Sequence, residues 1–431
     1  MSATTNRERG PTISARERAP SIVSAQAKLL RSGATIAGAI AIASLLQALL
    51  QVVLARVLAP PDYSALVTLF VIVTICAVPT LGLQAAVARD IATMSADGRY
   101  DEAGVLLRRT LRAVARVSAI ALVICAAVAA PVAIAFHVQR FGALAAAAVV
   151  VLSTAALPVA WGGLQGTGRF GMLAAGQVTW SALRFGLAVA LAAVGFGVGG
   201  AMAGIALATL GMLVVALAVQ RPILTAGRRG GRAAARITTP YTVAAAAALC
   251  AFAALTSLDV PTARIAFSGN AAGAYSAASV GARALLIVAI GATTVLFPRV
   301  ATLDDPRRER RHLRAGLLVV GGVGAVAIAI AAAVPKQLLR IVFGSGYEQA
   351  SGYLALLVVA VALYGLVYVY TYHFLSLGRL RFAAVLGAVL AAQLGLYAAF
   401  HAGGRQLALV QVACAAVLVT LCEGYERTVP R

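Results

Sequence analysis

Two arginines lie in the middle of long apolar segments, and each follows polar residues at helical spacing. The polar residues of each stripe are three or four positions apart and therefore share one face of a helix: Gln177, Ser181 and Arg184 in one segment, and Ser276, Ser279 and Arg283 in another. A guanidinium is always charged, and its forked donors match the oxygens of a phosphate. Arg184 and Arg283 are therefore predicted to bind an anionic group such as a diphosphate.

A third polar stripe stands in the first apolar segment, formed by Ser44, Gln47 and Gln51. Placing an arginine at the centre of a bilayer costs about 3 kcal/mol on insertion scales, so such a residue needs a wet cavity, a partner or a function. The three stripes together are predicted to line a polar lumen. In the alternative interpretation, Arg184 and Arg283 pair with carbonyls or an acid and only brace the helices.

The composition places these stripes in a membrane. Of 431 residues, 61% are hydrophobic and 12% are charged, and the mean hydropathy is +0.91. Apolar runs near the length needed to cross a bilayer divide the chain into twelve predicted spans: 33–55, 65–88, 113–136, 143–164, 172–194, 197–219, 241–258, 274–297, 315–334, 352–375, 382–400 and 406–422. The predicted fold is an all-α membrane protein.

The net charge of +22 follows the predicted topology. If the N-terminus is cytoplasmic, inner segments carry 27 of the 36 Lys and Arg residues and outer loops carry 6. Such a bias obeys the positive-inside rule. It predicts cytoplasmic termini in a cell (inner or plasma) membrane, and it argues against nucleic acid as a partner.

Charged and glycine landmarks recur about 210 residues apart. The matched pairs are Arg56 with Arg264, Arg89 with Arg299, and Gly168-Arg169 with Gly378-Arg379. Six spans separate the two copies, so both begin on the same side of the membrane. The sequence therefore predicts two six-helix lobes in a parallel repeat, related by a pseudo-twofold axis along the membrane normal, an arrangement found in secondary transporters.

Several motifs resemble one family in order and spacing. "LARVLAPPDYSALVTLF", "LDVPTARIAFSGNAAGAYSAASVG", "LQGTGRF" and "LSLGRLRF" resemble segments of polysaccharide flippases of the multidrug/oligosaccharidyl-lipid/polysaccharide exporter superfamily. The resemblance implies two lobes that open alternately and move an undecaprenyl-diphosphate-linked glycan to the outer leaflet. Ser64 departs from the family pattern, which has glycine in this "YG" pair.

The expected domain division follows the repeat. It consists of a disordered cytoplasmic tail (1–32), an N-lobe (33–219), a cytoplasmic linker (220–240), a C-lobe (241–422) and a cytoplasmic C-terminus (423–431).

Further candidate residues stand near the ends of the predicted spans. Gating or first capture of the substrate is a hypothesis for Arg56, Arg264, Arg89 and Arg299, and sugar stacking is one for Tyr364 and Tyr368. For the tyrosines we favour packing at an interface. For Asp259 we favour an interfacial ion pair with Arg264.

The sequence carries no nucleotide-binding or metal-ligand motif, and we expect no catalytic residue, metal or cofactor. The expected partners are a polyprenyl-diphosphate-linked glycan, membrane lipids and other polysaccharide-assembly proteins.

Three alternative functions stay open: a multidrug or small-molecule cation antiporter of the same fold, a peptidoglycan lipid-precursor flippase, and a membrane glycosyltransferase or glycan ligase.

Overall fold

The computed structural model describes residues 22–135, 141–226, 240–291, 293 and 306–428, and every regular element in these ranges is a helix. The helices are α1 (Ile22–Val57), α2 (Pro60–Ala96), α3 (Tyr100–Ala135), α4 (Phe141–Gly166), α5 (Phe170–Leu191), α6 (Gly197–Val219), α7 (Arg221–Ala226), α8 (Pro240–Leu255), α9 (Asp259–Ala266), α10 (Gly269–Arg283), α11 (Pro306–Ala333), α12 (Pro335–Val342), α13 (Ser351–Ser376), α14 (Phe382–Ala399) and α15 (Gly404–Thr428). A π-helical turn (Ala192–Phe196) follows α5, and a 3-10 turn (Ser345–Ala350) precedes α13.

Ten stretches of the described chain are long and apolar enough to cross a membrane. One of them, Phe170–Val219, runs through two predicted spans. The backbone breaks between them at Gly195 and Gly197, where φ is 103° and 57°, a region that glycine enters without a steric penalty. With α3, which covers residues 113–135 of the predicted span 113–136, the all-α fold of about twelve membrane helices is confirmed.

The first helix begins before the point expected from the sequence. Helix α1 starts at Ile22, whereas the tail was expected to continue to residue 32. Residues 22–30 form a short stretch that contains Ser24, Gln26 and Lys28, but it continues directly into the first span, so one helix carries both. Residues 1–21 lie outside the described part of the chain.

The helices form two lobes that meet along α2. In the N-lobe, α4 packs against α2 and α6, and α5 packs against α1 and α6. In the C-lobe, α13 packs against α11 and α15, and α14 packs against α8. Helix α2 also contacts α8, α9 and α10 of the C-lobe, and its residues from Tyr63 to Val71 are buried.

The internal repeat is visible in two equivalent turns. Gly168 and Gly378 have φ of 71° and 69°, and the N–H of the following Arg169 or Arg379 donates to the carbonyl five residues earlier, at 2.9 Å in both. Each arginine then reaches the last helix of its own lobe. Arg169 donates to the Val219 carbonyl at 3.1 Å, and Arg379 donates to the Glu426 carboxylate at 3.0 Å.

Helices α2 and α4 approach closely because α4 carries two glycines one turn apart. A Cβ on Gly162 would lie 2.7 Å from the Gln84 carbonyl oxygen, and one on Gly166 would lie 2.7 Å from that of Ala88. Small residues at this spacing allow helix backbones to pack closely in membranes.

We predict that Gly166→Ala destabilises the protein by about 1–3 kcal/mol, because the added methyl group overpacks the contact. Gly186→Ala is the matched control, since a Cβ there meets nothing within 4 Å; it should gain up to about 1 kcal/mol from helix propensity. Unfolding by SDS in mixed micelles measures both. Equal effects of the two substitutions would contradict the close packing.

Candidate functional site

A cavity of about 950 Å³ lies between the two lobes. Side chains of α1, α2, α4 and α5 line it from the N-lobe, and those of α10, residues 284–287, α11, α12 and α13 line it from the C-lobe. A cavity of this size is within the range of small-ligand sites.

The N-lobe wall of the cavity carries most of its polar side chains. The two stripes predicted in this lobe both face it, with Ser44, Gln47 and Gln51 on α1 and Gln177, Ser181 and Arg184 on α5. Trp161 on α4 and Trp180 on α5 join them, and these two tryptophans did not emerge from the sequence. The sequence signal that could have identified Trp180 is its position one helical turn before Arg184, which places both side chains on the same face of α5.

Arg184 is held against an aromatic ring. Its guanidinium carbon lies 4.5 Å from the centroid of the Trp180 ring, a cation–π contact. The Trp180 Nε1 donates to Thr209 Oγ1 at 3.2 Å, and this hydroxyl donates to the Ile205 carbonyl at 2.8 Å. The Arg184 Nε is buried without a hydrogen-bond partner, and no carboxylate pairs with Arg184 in the described part of the chain.

Arg283 faces the cavity from the C-lobe, but it is paired. Its Nη2 lies 3.2 Å from Asp259 Oδ1 and donates to Ser279 Oγ at 2.7 Å, and Ser279 in turn donates to Asp259. The structure thus pairs Asp259 with Arg283, whereas the sequence interpretation had assigned it to Arg264. The two residues are 24 positions apart and meet because α10 folds back along α9.

Ser276 and Ser279 are absent from the cavity lining, contrary to the expected lumen role. Both are buried, with 0% and 2% of their surface exposed. Ser279 belongs to the Asp259–Arg283 pair. Ser276 faces the N-lobe, where its hydroxyl lies 3.2 Å from that of Ser64.

The C-lobe wall of the cavity is apolar apart from Arg283. The side chains that form it are Val280, Leu285, Ile287, Ala327, Ile330, Leu338, Leu339, Val342, Phe343, Leu354 and Val358. One lobe therefore presents amides, indoles and a guanidinium, and the other presents mostly hydrocarbon.

The two lobes are joined at a seam, which we define by five hydrogen bonds donated by four side chains. Arg56 donates to the carbonyls of Val342 and Ile341, and Arg264 donates to that of Pro61 at 3.1 Å. The Ser64 and Ser276 hydroxyls meet as described, and the Tyr347 hydroxyl donates to the Ala55 carbonyl at 2.6 Å. Arg56 and Arg264, equivalent in the repeat, each bond the opposite lobe.

The seam is tight enough to require a glycine. A Cβ on Gly273 would lie only 2.3 Å from the Pro60 carbonyl oxygen. The seam also lies at the end of α1 and the start of α2, which the charge distribution predicts to be the outer side of the membrane.

The remaining candidates lie away from the cavity lining. Arg89 is 76% exposed and lies 3.4 Å from Asp90, and Arg299 is outside the described residues. Tyr364 is fully buried and donates to Gln393 Oε1 at 2.8 Å, while Tyr368 packs against Phe252 with ring centroids 5.3 Å apart. In this conformation neither tyrosine offers a face to a sugar.

Residues 53–352 match the family described as polysaccharide biosynthesis protein. The chain belongs to this family. The match covers most of both lobes, including the seam and the residues on both walls of the cavity from Gln177 to Phe343. No curated protein matches the sequence.

Solved structures share the fold of this family member at low sequence identity. An inward-facing multidrug resistance MATE family transporter of the MOP superfamily aligns with a TM-score of 0.68 and 14% identity, over 90% of this chain and 96% of that one. The lipid II flippase MurJ in an inward closed conformation aligns with a TM-score of 0.67 and 10% identity, over 92% and 88%. An outward-facing MATE family transporter aligns with a TM-score of 0.58 and 16% identity, over 92% and 94%.

Among the described residues, no group of three or more His, Cys, Asp or Glu side chains could hold a metal ion. The chemistry available at the cavity is therefore that of guanidinium, amide, hydroxyl and indole groups. These groups can bind an anion and hydroxylated ligands.

We predict that Asp259→Ala lowers the free energy of unfolding by about 2 kcal/mol, because hydrogen bonds to charged groups contribute about 1.5–3 kcal/mol. The Asp259→Ala/Arg283→Ala double variant should lose less than the sum of the single variants, since the two residues interact directly. SDS unfolding in mixed micelles measures all three. Strictly additive losses would show that the pair is not coupled.

Proposed function

We propose that this protein is a flippase that moves an undecaprenyl-diphosphate-linked oligosaccharide from the cytoplasmic to the outer leaflet by alternating access, for cell-surface polysaccharide biosynthesis. It does so without ATP hydrolysis, in the inner or plasma membrane with both termini cytoplasmic. Its partners are the lipid-linked glycan, membrane lipids and other polysaccharide-assembly proteins. The observation that carries the proposal is the cavity between the lobes, which has an arginine on each wall.

The two arginines suit the head group of such a lipid. A diphosphate has several acceptor oxygens, and a guanidinium binds such oxygens through paired donors. Arg184 and Arg283 each keep an unused donor at Nε, and Arg283 also shares its charge with Asp259. Movement of an anionic head outward is also favoured by an inside-negative potential, by about 2.3 kcal/mol per charge per 100 mV.

The seam supports an inward-facing state in an alternating-access cycle. Its contacts hold the lobes together at the predicted outer side, so we infer that the cavity opens to the cytoplasm. The TM-score is 0.68 for the inward-facing MATE transporter and 0.58 for the outward-facing one. Release to the outer leaflet then requires the seam to separate.

The alternatives differ in the ligand charge that they need. A cation antiporter requires carboxylates in its cavity, but the charged side chains that line this one are Arg184 and Arg283. A peptidoglycan-precursor flippase carries the same diphosphate chemistry and is the closest alternative. A glycosyltransferase or glycan ligase requires catalytic carboxylates or histidines at the substrate, and the cavity lining supplies none among the described residues.

We expect Arg184→Ala and Arg283→Ala each to slow translocation of a labelled polyprenyl-diphosphate sugar by tenfold or more, because one charged hydrogen bond corresponds to about 1.5–3 kcal/mol. The assay follows loss of the label from one leaflet of reconstituted liposomes. Arg405→Ala is the control, since this exposed arginine lies outside the cavity. Wild-type rates in both cavity variants would refute the proposed head-group site, and transport of organic cations instead would favour the antiporter.

A second prediction concerns the seam. The Ser64 and Ser276 hydroxyl oxygens are 3.2 Å apart, so Ser64→Cys/Ser276→Cys should form a disulfide under oxidation. In a background without the five native cysteines, we expect this disulfide to stop translocation and a reductant to restore it. Each single cysteine variant is the control. Full transport by the cross-linked protein would show that the seam does not need to open.

A further inference from the structure

Besides the Nε atoms of Arg184 and Arg283, three buried polar atoms at the cavity have no hydrogen-bond partner within the described part of the chain. They are the side-chain oxygens of Gln51 and Gln177 and the indole Nε1 of Trp161. Trp161 is 7% exposed. Buried polar groups in proteins are nearly always hydrogen-bonded, so three such atoms on one wall point to a ligand that satisfies them.

The two amide oxygens differ in chemistry from the arginines, whereas the Trp161 Nε1 is a donor as they are. An ionised phosphate only accepts hydrogen bonds, so it cannot satisfy an amide oxygen, which also only accepts. The Trp161 Nε1 only donates. A hydroxyl group both donates and accepts, and a ring with several hydroxyls can satisfy Gln51, Gln177 and Trp161 at once. These three residues therefore match a sugar better than a phosphate.

The positions of the three residues place a sugar next to the head group. Gln177 and Arg184 lie on one face of α5, seven residues and about 10 Å apart along the axis. Trp180 stands between them and contacts Arg184, and the Trp161 ring packs edge-on against the Trp180 ring with centroids 5.3 Å apart. A phosphate bound at Arg184 thus leaves the attached ring over the tryptophans and within reach of Gln177.

We propose that Gln51, Gln177 and Trp161 form a saccharide subsite that binds the first sugar ring attached to the diphosphate. This inference rests on the proposed function, since the diphosphate at Arg184 sets the position of the ring. The two indoles stand at 80° to each other, so they give the apolar face of the ring an aromatic corner, and the amides bind its hydroxyls. The subsite makes the protein distinguish a glycosylated carrier from the bare carrier lipid.

The test compares two probes in reconstituted protein: undecaprenyl diphosphate, and the same lipid carrying one glucose. We expect wild type to bind the glucosylated lipid about tenfold more tightly. The Gln51→Leu/Gln177→Leu/Trp161→Phe variant should bind both probes alike, since these changes remove the polar atoms and keep similar side-chain shapes. Its affinity for undecaprenyl diphosphate should stay at the wild-type value. Loss of two or three hydrogen bonds accounts for a change of this size.

Gln349→Leu is the matched control, because Gln349 is exposed and its side chain bonds the Asn270 carbonyl outside the cavity. This variant should keep the tenfold preference. Equal binding of both probes by wild type, or an unchanged preference in the triple variant, overturns the saccharide subsite and leaves the diphosphate site intact. Binding of neither probe by wild type overturns the proposed function itself, which separates the two failures.

Discussion

A charge that must stay inside an apolar helix constrains this molecule more than any other interaction. The two lobes meet this constraint differently. In the C-lobe, Arg283 is neutralised by the fully buried Asp259 at 3.2 Å and supported by Ser279. In the N-lobe, the guanidinium of Arg184 lies over the ring of Trp180. This cation–π contact attracts the charge through the ring quadrupole but does not neutralise it. The charged guanidinium of Arg184 must therefore be stabilised by what fills the cavity. The cavity lies beside the packed helices α1 and α5, which place Arg184 at its wall.

The repeat and the cavity use different residues. Positions that match between the halves build the seam, where Arg56 and Arg264 each bond the opposite lobe and Ser64 meets Ser276. Each serine is the second residue of a "YS" dipeptide, Tyr63-Ser64 in one half and Tyr275-Ser276 in the other. Because residue 64 is serine where the family has glycine, the two hydroxyls can meet near the pseudo-twofold axis. The arginines of the cavity have no counterpart at the 210-residue offset. The symmetric positions thus form the contacts between the lobes, and the candidate site is built from residues that the repeat does not share.

Sequence periodicity located the α1 and α5 stripes because a polar residue is conspicuous in an apolar helix. The same periodicity placed Ser276 on a polar face, but it could not say whether that face meets a cavity or the other lobe. The partner of Asp259 depended on how α9 and α10 fold together, which no local pattern encodes. Trp161 was overlooked because an aromatic side chain in a span is usually a packing residue, and its unpaired Nε1 is visible only in three dimensions.

The unequal walls suggest how a ligand couples the lobes. Arg184 belongs to one lobe and Arg283 to the other. Because Asp259 neutralises Arg283, closure around an empty cavity leaves Arg184 without a carboxylate partner among the described residues, in a medium of low dielectric where an unpaired charge is costly. In the proposed mechanism, a diphosphate between the arginines compensates the charge of Arg184, accepts hydrogen bonds from both guanidinium groups and joins the lobes through one ligand. Closure around the anion is then favoured over closure around water, which ties the movement of the lobes to the presence of the head group.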